Sequence, residues 1–575
     1  MKYLRTINAV KITCAVILAM APVLSSSATP NINPQELQSI IQEQLRQEQL
    51  QEDRFEQFKQ ERNTTKDIFS PASVPITSDV NEPDGTCFYI TAINVFGSTL
   101  LKQTDIKSVT DTYVKQCLDI ATVQSIAKQL TALYISKGYI TSQFSIPEQN
   151  LKLGKLKYVA IEGYVDDWEI QPDANDHLER RLRYALPLKK KGALNLRATE
   201  QALESLSRVR SATAKIDMLP GQDVGGTTLA FKIEEQKPWR VIANLDNNGS
   251  ESSGEWQGRL TGEWDNPLNI NDKVSLSLNG NADAGEPSSS EALSLHYSFP
   301  INYWLFEFNV NRSQYDQKVN GQISAFNTSG TTDTFGLTIK RLVYRDTQQK
   351  ITLFTSVNHK DSNNFVEDTK VDVSSNRLSN ISVGATWAMQ SNGASYDASL
   401  SYLKGTTWLG ALDDDEQPSG SPQAQGDKTS FSAGYARGVS VFKQALQYSL
   451  RGQWQFSGDA IFNSEHISLG SLFTVRGFKE SRVSSNRGGY VRQEVSLPIK
   501  IERFAPLGIT PYWGLDWGRV HLSANQWEEI SGTALGFKAA YKALNVDISA
   551  SHAIDQIKGV QGESTLYHVS LNYTF

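Results

Sequence analysis

The sequence lacks long apolar stretches and an excess of basic residues. After residue 28 of the 575-residue chain, no run of about 18 to 20 apolar residues occurs, so membrane-spanning helices are not expected. The mean hydropathy of -0.38 remains compatible with a membrane β-barrel, because only alternate strand residues face lipid and the loops are polar. A formal net charge of -6 argues against a nucleic-acid-binding protein, which needs a basic face.

Patterns typical of catalytic and metal sites are missing as well. The seven histidines are widely separated, and the chain contains no H-E-x-x-H, P-loop or G-x-S-x-G sequence. We therefore expect no enzymatic activity, no metal site and no cofactor.

The first 28 residues have the pattern of a secretory signal peptide. Lys2 and Arg5 precede a mostly apolar segment over Ile12–Leu24, and small residues follow up to Ala28. A transmembrane anchor is the alternative, but this apolar segment is short for crossing a bilayer. Residues 1–28 are therefore predicted to be removed on export.

Cysteine is scarce, with three residues in the chain. Cys14 lies in the apolar segment of the signal peptide, so the mature chain keeps Cys87 and Cys117. An even pair in an exported protein predicts a disulfide bond. Two separate buried thiols are the alternative.

Residues 33–63 predict a polar helix, and residues 64–84 predict a linker. The helix is rich in Gln, Glu and Arg, and it carries a short apolar stripe formed by Leu37, Ile40, Ile41 and Leu45. It would be roughly 43 Å long, enough to thread a water-filled barrel. The pattern alone favours the alternative, a solvated helix or weak coiled coil. Proline and small polar residues make the linker an extended tether.

Two consecutive segments repeat one β-α-α-β-β pattern, which predicts two small α+β domains. They are residues 85–163, the first module, and residues 164–236, the second module. In the first module, the predicted strands are Cys87–Phe96, Ile140–Ile146 and Leu156–Ile161, and the predicted helices are Thr104–Leu118 and Thr122–Ser136. In the second module, the predicted strands are Val165–Ile170, Ala212–Met218 and Thr227–Ile233, and the predicted helices are His177–Ala185 and Thr199–Val209.

Residues 237–575 show no helical periodicity. Segments of about ten residues alternate apolar with polar or small residues, and turn signals separate them. At roughly 20 residues per strand and connection, they predict about 16 strands, as in a bacterial outer-membrane barrel. A soluble propeller or sandwich is the alternative, but no blade-like repeat occurs. The last strand, Tyr567–Phe575, has aromatics at both ends of one face, and its terminal Phe575 suits the signal read by the barrel-assembly machinery.

Two short segments of the barrel combine glycine with one charge. They are Val475-Arg476-Gly477-Phe478 and Gly514-Leu515-Asp516-Trp517-Gly518. Asp516 would face the lumen if Trp513 and Trp517 face lipid, and a charge there is tolerated only when hydrated or paired. One hypothesis is an Arg476–Asp516 pair that ties a folded-in loop to the wall. A solvated lumen carboxylate is the other.

The chain resembles the TpsB transporters of two-partner secretion over essentially its whole mature length. Gly138-Tyr139-Ile140-Thr141-Ser142 is similar to the family's first POTRA (polypeptide-transport-associated) domain, and Leu194-Asn195-Leu196-Arg197 to its second. Asp246-Asn247-Asn248-Gly249 is similar to the opening hairpin of the barrel. Val475–Phe478 is similar to the tip of the inward-folded sixth extracellular loop, and Gly514–Gly518 to the strand that receives its arginine.

The resemblance implies an all-β transmembrane barrel of about 16 antiparallel strands, two periplasmic POTRA domains and an N-terminal plug helix over residues 33–63. It implies a monomer in the lipid of the bacterial outer membrane, assembled by the barrel-assembly machinery and binding no nucleic acid. The partner would be one large secreted TpsA-type exoprotein, a toxin or adhesin, with a slight preference for the growth-inhibition type. Arg476 and Asp516 would form a loop-to-barrel lock.

Two alternatives and one departure accompany this resemblance. An insertase of the barrel-assembly superfamily is the alternative function, whereas a porin would leave the two modules unexplained. The family often has Pro-Gly-Pro or a similar sequence before its Leu-Asn-Leu-Arg motif, where this chain has Lys189-Lys190-Lys191-Gly192-Ala193. The three lysines either bind an acidic partner segment or form a solvated loop.

Overall fold

A computed structural model describes most of the chain after residue 86. The described residues are 87–171, 176–250, 254–282, 289–320, 325–372, 374–441, 444–501, 507–522, 526–557, 560 and 562–575. The predicted signal peptide, polar helix and linker lie outside the described residues. Among these residues, no helix is both long and apolar enough to cross a membrane.

The first module packs two helices on a three-stranded sheet. Its elements are β1 (Phe88–Ile90), β2 (Ala92–Phe96), α1 (Gln103–Thr110), β3 (Gln116–Leu118), α2 (Ile120–Ser136), β4 (Gln143–Ser145) and β5 (Lys155–Ile161). The sheet order is β2-β5-β4, and β1 pairs separately with β3. Helix α2 starts after Asp119, whose side chain accepts the N–H of Thr122 at 2.8 Å. Its buried face, including Ile126 and Leu130, forms the core with the sheet.

Two predicted elements of this module are wrong in extent. The helix predicted over Thr104–Leu118 ends at Thr110, and Gln116–Leu118 is a strand. Leu118 is buried in the core of the module. A buried apolar residue is compatible with a helix or a strand, so its apolar character did not distinguish the two. The strand predicted over Cys87–Phe96 is interrupted at Thr91. Cys87 and Cys117 are joined by a disulfide, with Cα atoms 5.4 Å apart, and it links the segment entering β1 to β3.

The second module repeats the arrangement. Its elements are β6 (Tyr164–Gln171), α3 (Asp176–Ala185), α4 (Leu196–Leu206), β7 (Ala212–Pro220) and β8 (Gly226–Glu235), in the sheet order β6-β8-β7. Asn195 caps α4 by accepting the N–H of Arg197 at 2.8 Å, and its amide donates to the carbonyl of Lys137 at 3.0 Å. Leu196 donates its N–H to the carbonyl of Gly138 at 2.8 Å. The two POTRA-like motifs of the sequence therefore meet at the joint between the modules.

The remaining chain forms a closed antiparallel barrel, as predicted. Within the described residues its wall has 16 strands. These are β9 (Trp239–Asp246), β10 (Gln257–Asp265), β11 (Lys273–Asn281), β12 (Ser289–Ile301), β13 (Trp304–Asn320), β14 (Ala325–Arg345), β15 (Gln349–Val366), β17 (Asn376–Ser391), β18 (Ala394–Thr406), β19 (Asp427–Val441), β20 (Gln444–Phe456), β23 (Gly488–Ser496), β25 (Gly508–Leu522), β26 (Gln526–Tyr541), β27 (Leu544–Asp555) and β28 (Leu566–Thr574). The short strands β16 (Thr369–Lys370) and β24 (Ile499–Lys500) extend two hairpins, and β21 (Ile467–Leu469) and β22 (Val483–Ser485) lie within a connection.

Side chains alternate across the barrel wall as the period of a strand requires. On β25, Trp513 is 51% exposed on the outer face, whereas Asp516 is fully buried on the inner face. On β28, Tyr567 and Tyr573 are exposed at opposite ends of the outer face, and Phe575 is exposed just beyond the strand. The N–H of Phe575 donates to the carbonyl of Val241 at 2.8 Å, so the chain end lies against β9.

The barrel closes at a short seam between β28 and β9. Five residue pairs join these strands, from Ser570↔Asp246 to Thr574↔Ile242. The neighbouring pairings β9–β10 and β27–β28 each have eight. Beyond the paired segment, the main-chain N–H of Asn247 donates to the carbonyl of Val569 at 3.2 Å. Its side chain also donates to the carbonyl of Tyr567 and accepts the N–H of Val569, both at 2.8 Å.

The second module is docked on turns at one end of the barrel. Arg181 of α3 is fully buried, and it donates from Nε to the side chain of Asn271 at 2.9 Å. Asn271 returns a hydrogen bond to the carbonyl of Arg181, also at 2.9 Å. On α4, Glu204 pairs with Arg345 at 2.8 Å and Lys350 at 2.5 Å. These contacts reach the turn between β10 and β11 and the adjoining ends of β14 and β15. They fix the second module at this end of the barrel.

Glu162, at the boundary of the modules, holds the start of the first module's helical layer. Its carboxylate accepts the hydroxyl of Thr99 at 2.5 Å and the main-chain N–H groups of Thr99 at 2.7 Å and Leu100 at 2.8 Å. It also accepts the hydroxyl of Tyr134 at 2.7 Å. Burial by itself would raise the pKa of Glu162, but these hydrogen bonds outweigh it and hold the pKa below its usual value of 4.5.

Glu162→Gln is expected to lower the stability of the first module at pH 7 by about 1 kcal/mol. Because the folded-state pKa is lowered, the contribution of the carboxylate is complete above the unfolded pKa and is lost as the pH falls through the folded pKa. Urea unfolding followed by circular dichroism at pH 7 and pH 3.5 measures this difference. The stability difference between the wild type and Glu162→Gln should be smaller at pH 3.5. The exposed Glu148→Gln is the control. A difference that does not change with pH would contradict the stabilising role of the Glu162 carboxylate.

Candidate functional site

The connection between β20 and β23, residues 457–487, folds into the barrel and is named the inward loop here. Strands β21 and β22 pair within it, from Ile467↔Ser485 to Leu469↔Val483. An apolar cluster buries it against the wall, formed by Ile467, Leu469, Val475, Phe478 and Val483 of the loop with Tyr490, Val520, Ile530, Ala553, Ile557 and Val560. Burial of this apolar surface favours the loop inside the lumen over a solvated position.

Arg476 and Asp516 are in direct contact. Arg476 donates from Nε to Oδ2 of Asp516 at 2.6 Å, from a second guanidinium nitrogen to Oδ1 at 2.8 Å, and from its main-chain N–H to Oδ2 at 3.1 Å. The exposed fractions are 3% for Arg476 and 0% for Asp516. The solvated alternative for Asp516 is therefore wrong. Such a planar bidentate pair fixes the direction of the loop as well as its depth.

Three wall glycines make room for the loop around this contact. A Cβ on Gly514 would lie 1.9 Å from a guanidinium nitrogen of Arg476, and one on Gly518 would lie 2.9 Å from Val475. On the adjacent strand, a Cβ on Gly532 would lie 1.7 Å from the carbonyl oxygen of Arg476. Any side chain at these positions would displace the loop, which gives a physical reason for the glycines of the strand motif.

The loop turns sharply at Gly477. Its φ is +99°, a left-handed conformation that favours glycine. A Cβ there would lie 2.3 Å from the backbone nitrogen of Ala553 on β27. Phe478 follows, 1% exposed, within the apolar cluster. Gly477 thus permits a tight turn against the wall, with Arg476 directed to β25 and Phe478 buried next to it.

Two charged residues of β23 join the site, although no motif in the sequence pointed to them. Glu494 accepts from Arg476 at 3.3 Å and pairs with Lys538 at 3.1 Å. Arg492 donates to the carbonyl of Leu472 at 2.8 Å, so it holds a second point of the inward loop. The available signal was their spacing of two residues, which places both charges on one strand face.

The three consecutive lysines Lys189, Lys190 and Lys191 of the second module lie outside this site. Lys190 pairs with Asp167 and Lys191 with Asp166, all within the module. Their ammonium groups also lie 5.0 Å from the rings of Trp168 and Tyr164, respectively. Two of the three lysines therefore have acidic partners in the chain itself.

Gly532→Ala is expected to displace the inward loop, because its Cβ would overlap a main-chain oxygen that cannot move alone. Overpacking of this kind costs about 1–3 kcal/mol, so trypsin should cut at Arg476 roughly tenfold faster. Limited proteolysis in detergent measures this rate. Gly438→Ala is the control, since a Cβ there meets nothing within 4 Å. Equal cleavage of both variants would show that the glycine is not needed for loop packing.

Comparison with known proteins agrees with this architecture. Residues 225–539 match the family described as haemolysin secretion/activation protein ShlB/FhaC/HecB. Residues 88–163 match a ShlB-type POTRA domain, and residues 164–220 match a POTRA domain. The outer membrane transporter CdiB of Dickeya dadantii is 28% identical over 92% of this chain and 94% of its own. The hemolysin transporter protein ShlB of Serratia marcescens is 27% identical over 87% of each chain.

Solved structures share the complete fold. CdiB from Escherichia coli superimposes with a TM-score of 0.85 at 24% identity, covering 95% of this chain and 100% of that one. CdiB from Acinetobacter baumannii gives 0.78 at 20% identity, covering 93% and 99%. The family model spans more than half of the chain. The chain therefore belongs to the ShlB/FhaC/HecB family of haemolysin secretion/activation proteins, the TpsB two-partner secretion transporters of the outer membrane.

Proposed function

We propose that this chain exports one large TpsA-type partner protein, unfolded, through the barrel lumen to the cell surface. The observation that carries the proposal is an inward loop tied to the lumen wall in a barrel whose opposite end carries two POTRA modules. Relatives named as CdiB and hemolysin transporters support the transport of a toxin. The two named relatives do not distinguish the cargo, and we favour a growth-inhibition toxin.

The two modules would capture the partner in the periplasm. Their sheets have edge strands, such as β2 and β7, and an extended segment can add to such an edge through main-chain hydrogen bonds. That recognition tolerates varied side chains. The docking of Arg181 and Glu204 on the barrel would keep the captured segment at the lumen entrance.

The gate would consist of the loop-to-barrel lock and the predicted plug helix. In the closed state, Arg476 and Asp516 hold the inward loop, and residues 33–63 occupy the remaining lumen, tethered by residues 64–84. Departure of the plug opens the path, and folding of the partner outside drives export, because no nucleotide is available in the periplasm. A monomer suffices, since one chain encloses the whole lumen. The terminal strand ending at Phe575 would be read by the barrel-assembly machinery.

An insertase of outer-membrane proteins is the second candidate. The five-pair seam between β28 and β9 favours it, because a short pairing separates most readily. The two modules, rather than a longer array, and the predicted plug favour export. An assay of both activities separates the candidates: an insertase would raise the amount of other barrels in the membrane without releasing a soluble partner.

Export should depend on the lock. With a co-expressed candidate partner, the wild-type chain should place the partner in the medium or on the surface, and Arg476→Ala should reduce this about tenfold or more. Removal of Arg476 takes the bidentate partner from the buried Asp516 carboxylate and leaves it the longer contact with Arg492 at 3.7 Å, so the loop loses its position. Arg437→Ala, at an exposed residue of β19, is the control. Equal export by Arg476→Ala would remove the lock from the mechanism but leave the transporter.

Deletion of residues 33–63 should raise the pore conductance. The reason is that the deleted helix would no longer occupy the lumen. Single-channel recording in planar bilayers compares the deletion with the full chain, and heat-modifiable migration on gels verifies that both barrels are folded. Conductance at the resting level of the full chain would contradict the assignment of this segment as a plug.

A further inference from the structure

A second set of contacts holds the inward loop just after its arginine turn. Glu563 accepts the main-chain N–H of Lys479 at 3.2 Å and that of Glu480 at 2.9 Å. Glu563 belongs to the last connection, residues 556–565 between β27 and β28. One carboxylate therefore binds two consecutive peptide groups, an arrangement that fixes the backbone whatever the neighbouring side chains do.

Lys479 also reaches the other side of the barrel seam. Its ammonium group pairs with Glu255 at 2.9 Å, and Glu255 belongs to the first connection, residues 247–256 between β9 and β10. The first and last connections flank the seam of β9 and β28. The backbone of Lys479 is thus attached on one side of the seam, and its side chain on the other.

The last connection packs directly on the turn of the loop. A Cβ on Gly562 would lie 2.9 Å from the carbonyl oxygen of Gly477. Ile557 and Val560 share the buried apolar cluster with Phe478. None of these contacts involves Asp516, which lies on β25. The two attachments of the loop, one to the wall and one to a connection, are therefore separate in the chain.

We propose that Glu563 is a second positioning residue of the gate, and that its clasp on Lys479 and Glu480 couples closure of the inward loop to closure of the seam. The inference rests on the proposed gating function and names a further element of it. With the clasp present, loss of the Arg476–Asp516 contact alone leaves the loop attached at its turn. Full release of the loop requires both of these attachments to break, together with the hydrogen bond from Arg492 to the carbonyl of Leu472.

Hydrogen–deuterium exchange of the full-length chain tests this inference. Glu563→Ala should accelerate exchange about tenfold over the whole loop segment 467–485, since hydrogen bonds to a charged acceptor have about that effect on the equilibrium. The seam strands β9 and β28 should also exchange faster. Glu563→Gln, which keeps a neutral acceptor, should give an intermediate rate. The control is Glu529→Ala, an exposed carboxylate on β26.

Asp516→Asn separates this inference from the gate itself. If Asp516→Asn leaves loop exchange at the wild-type rate, the lock and the proposed gate fail together. If it accelerates exchange while Glu563→Ala affects only Lys479 and Glu480, the gate stands and the coupling through Glu563 is overturned. The double variant should exchange faster than either single variant, because each retains one attachment. Unchanged heat-modifiable migration shows that the barrels compared are folded.

Discussion

The buried pair of Arg476 and Asp516 is the contact on which the arrangement inside the barrel depends. Both charges have left water, so each is tolerated only with opposite charge beside it. Glu494 lies 3.3 Å from Arg476, and Arg492 lies 3.7 Å from Asp516. Three hydrogen bonds from Arg476 to one carboxylate meet that requirement. They are possible only because Gly514 and Gly532 leave the wall bare at the point of contact. The charge pair and the glycines therefore form a single requirement, although they come from the inward loop, β25 and β26.

The apolar cluster and the charge pair have different roles in holding the inward loop. Burial of residues such as Val475 and Phe478 provides a favourable free energy that is roughly proportional to area and has no direction. Apolar burial by itself would be compatible with several positions of the loop along the wall. The hydrogen-bond geometry of Arg476 and Asp516 is compatible with one position. A buried ion pair contributes little net stability, so its effect here is to select which apolar packing forms.

Features that repeat at short range along the chain, or that match a known motif, could be predicted from the sequence. Alternation along the chain was sufficient for the 16-strand barrel, and glycine beside a charge was sufficient to bring Arg476 and Asp516 together as a hypothesis. The second half of the helix predicted over Thr104–Leu118 was wrong. An apolar residue such as Leu118 suits a buried position in a helix or in a strand, so its character did not distinguish the two. Glu563 could not have been identified, because it contacts Lys479 across 84 positions of the chain and no local pattern records such a distance.

The two ends of the barrel are constrained in opposite ways, and this asymmetry fits a one-way path. At the module end, Arg181 and Glu204 form contacts with the turns and strands of the barrel itself, which would keep the entrance geometry constant. At the loop end, the attachments join a connection to the wall or to other connections, and none of them is part of the strand ladder. Breaking them therefore removes no main-chain hydrogen bond of the strand ladder itself. A protein that must open repeatedly without unfolding needs its breakable contacts at the exit and its permanent contacts at the entrance.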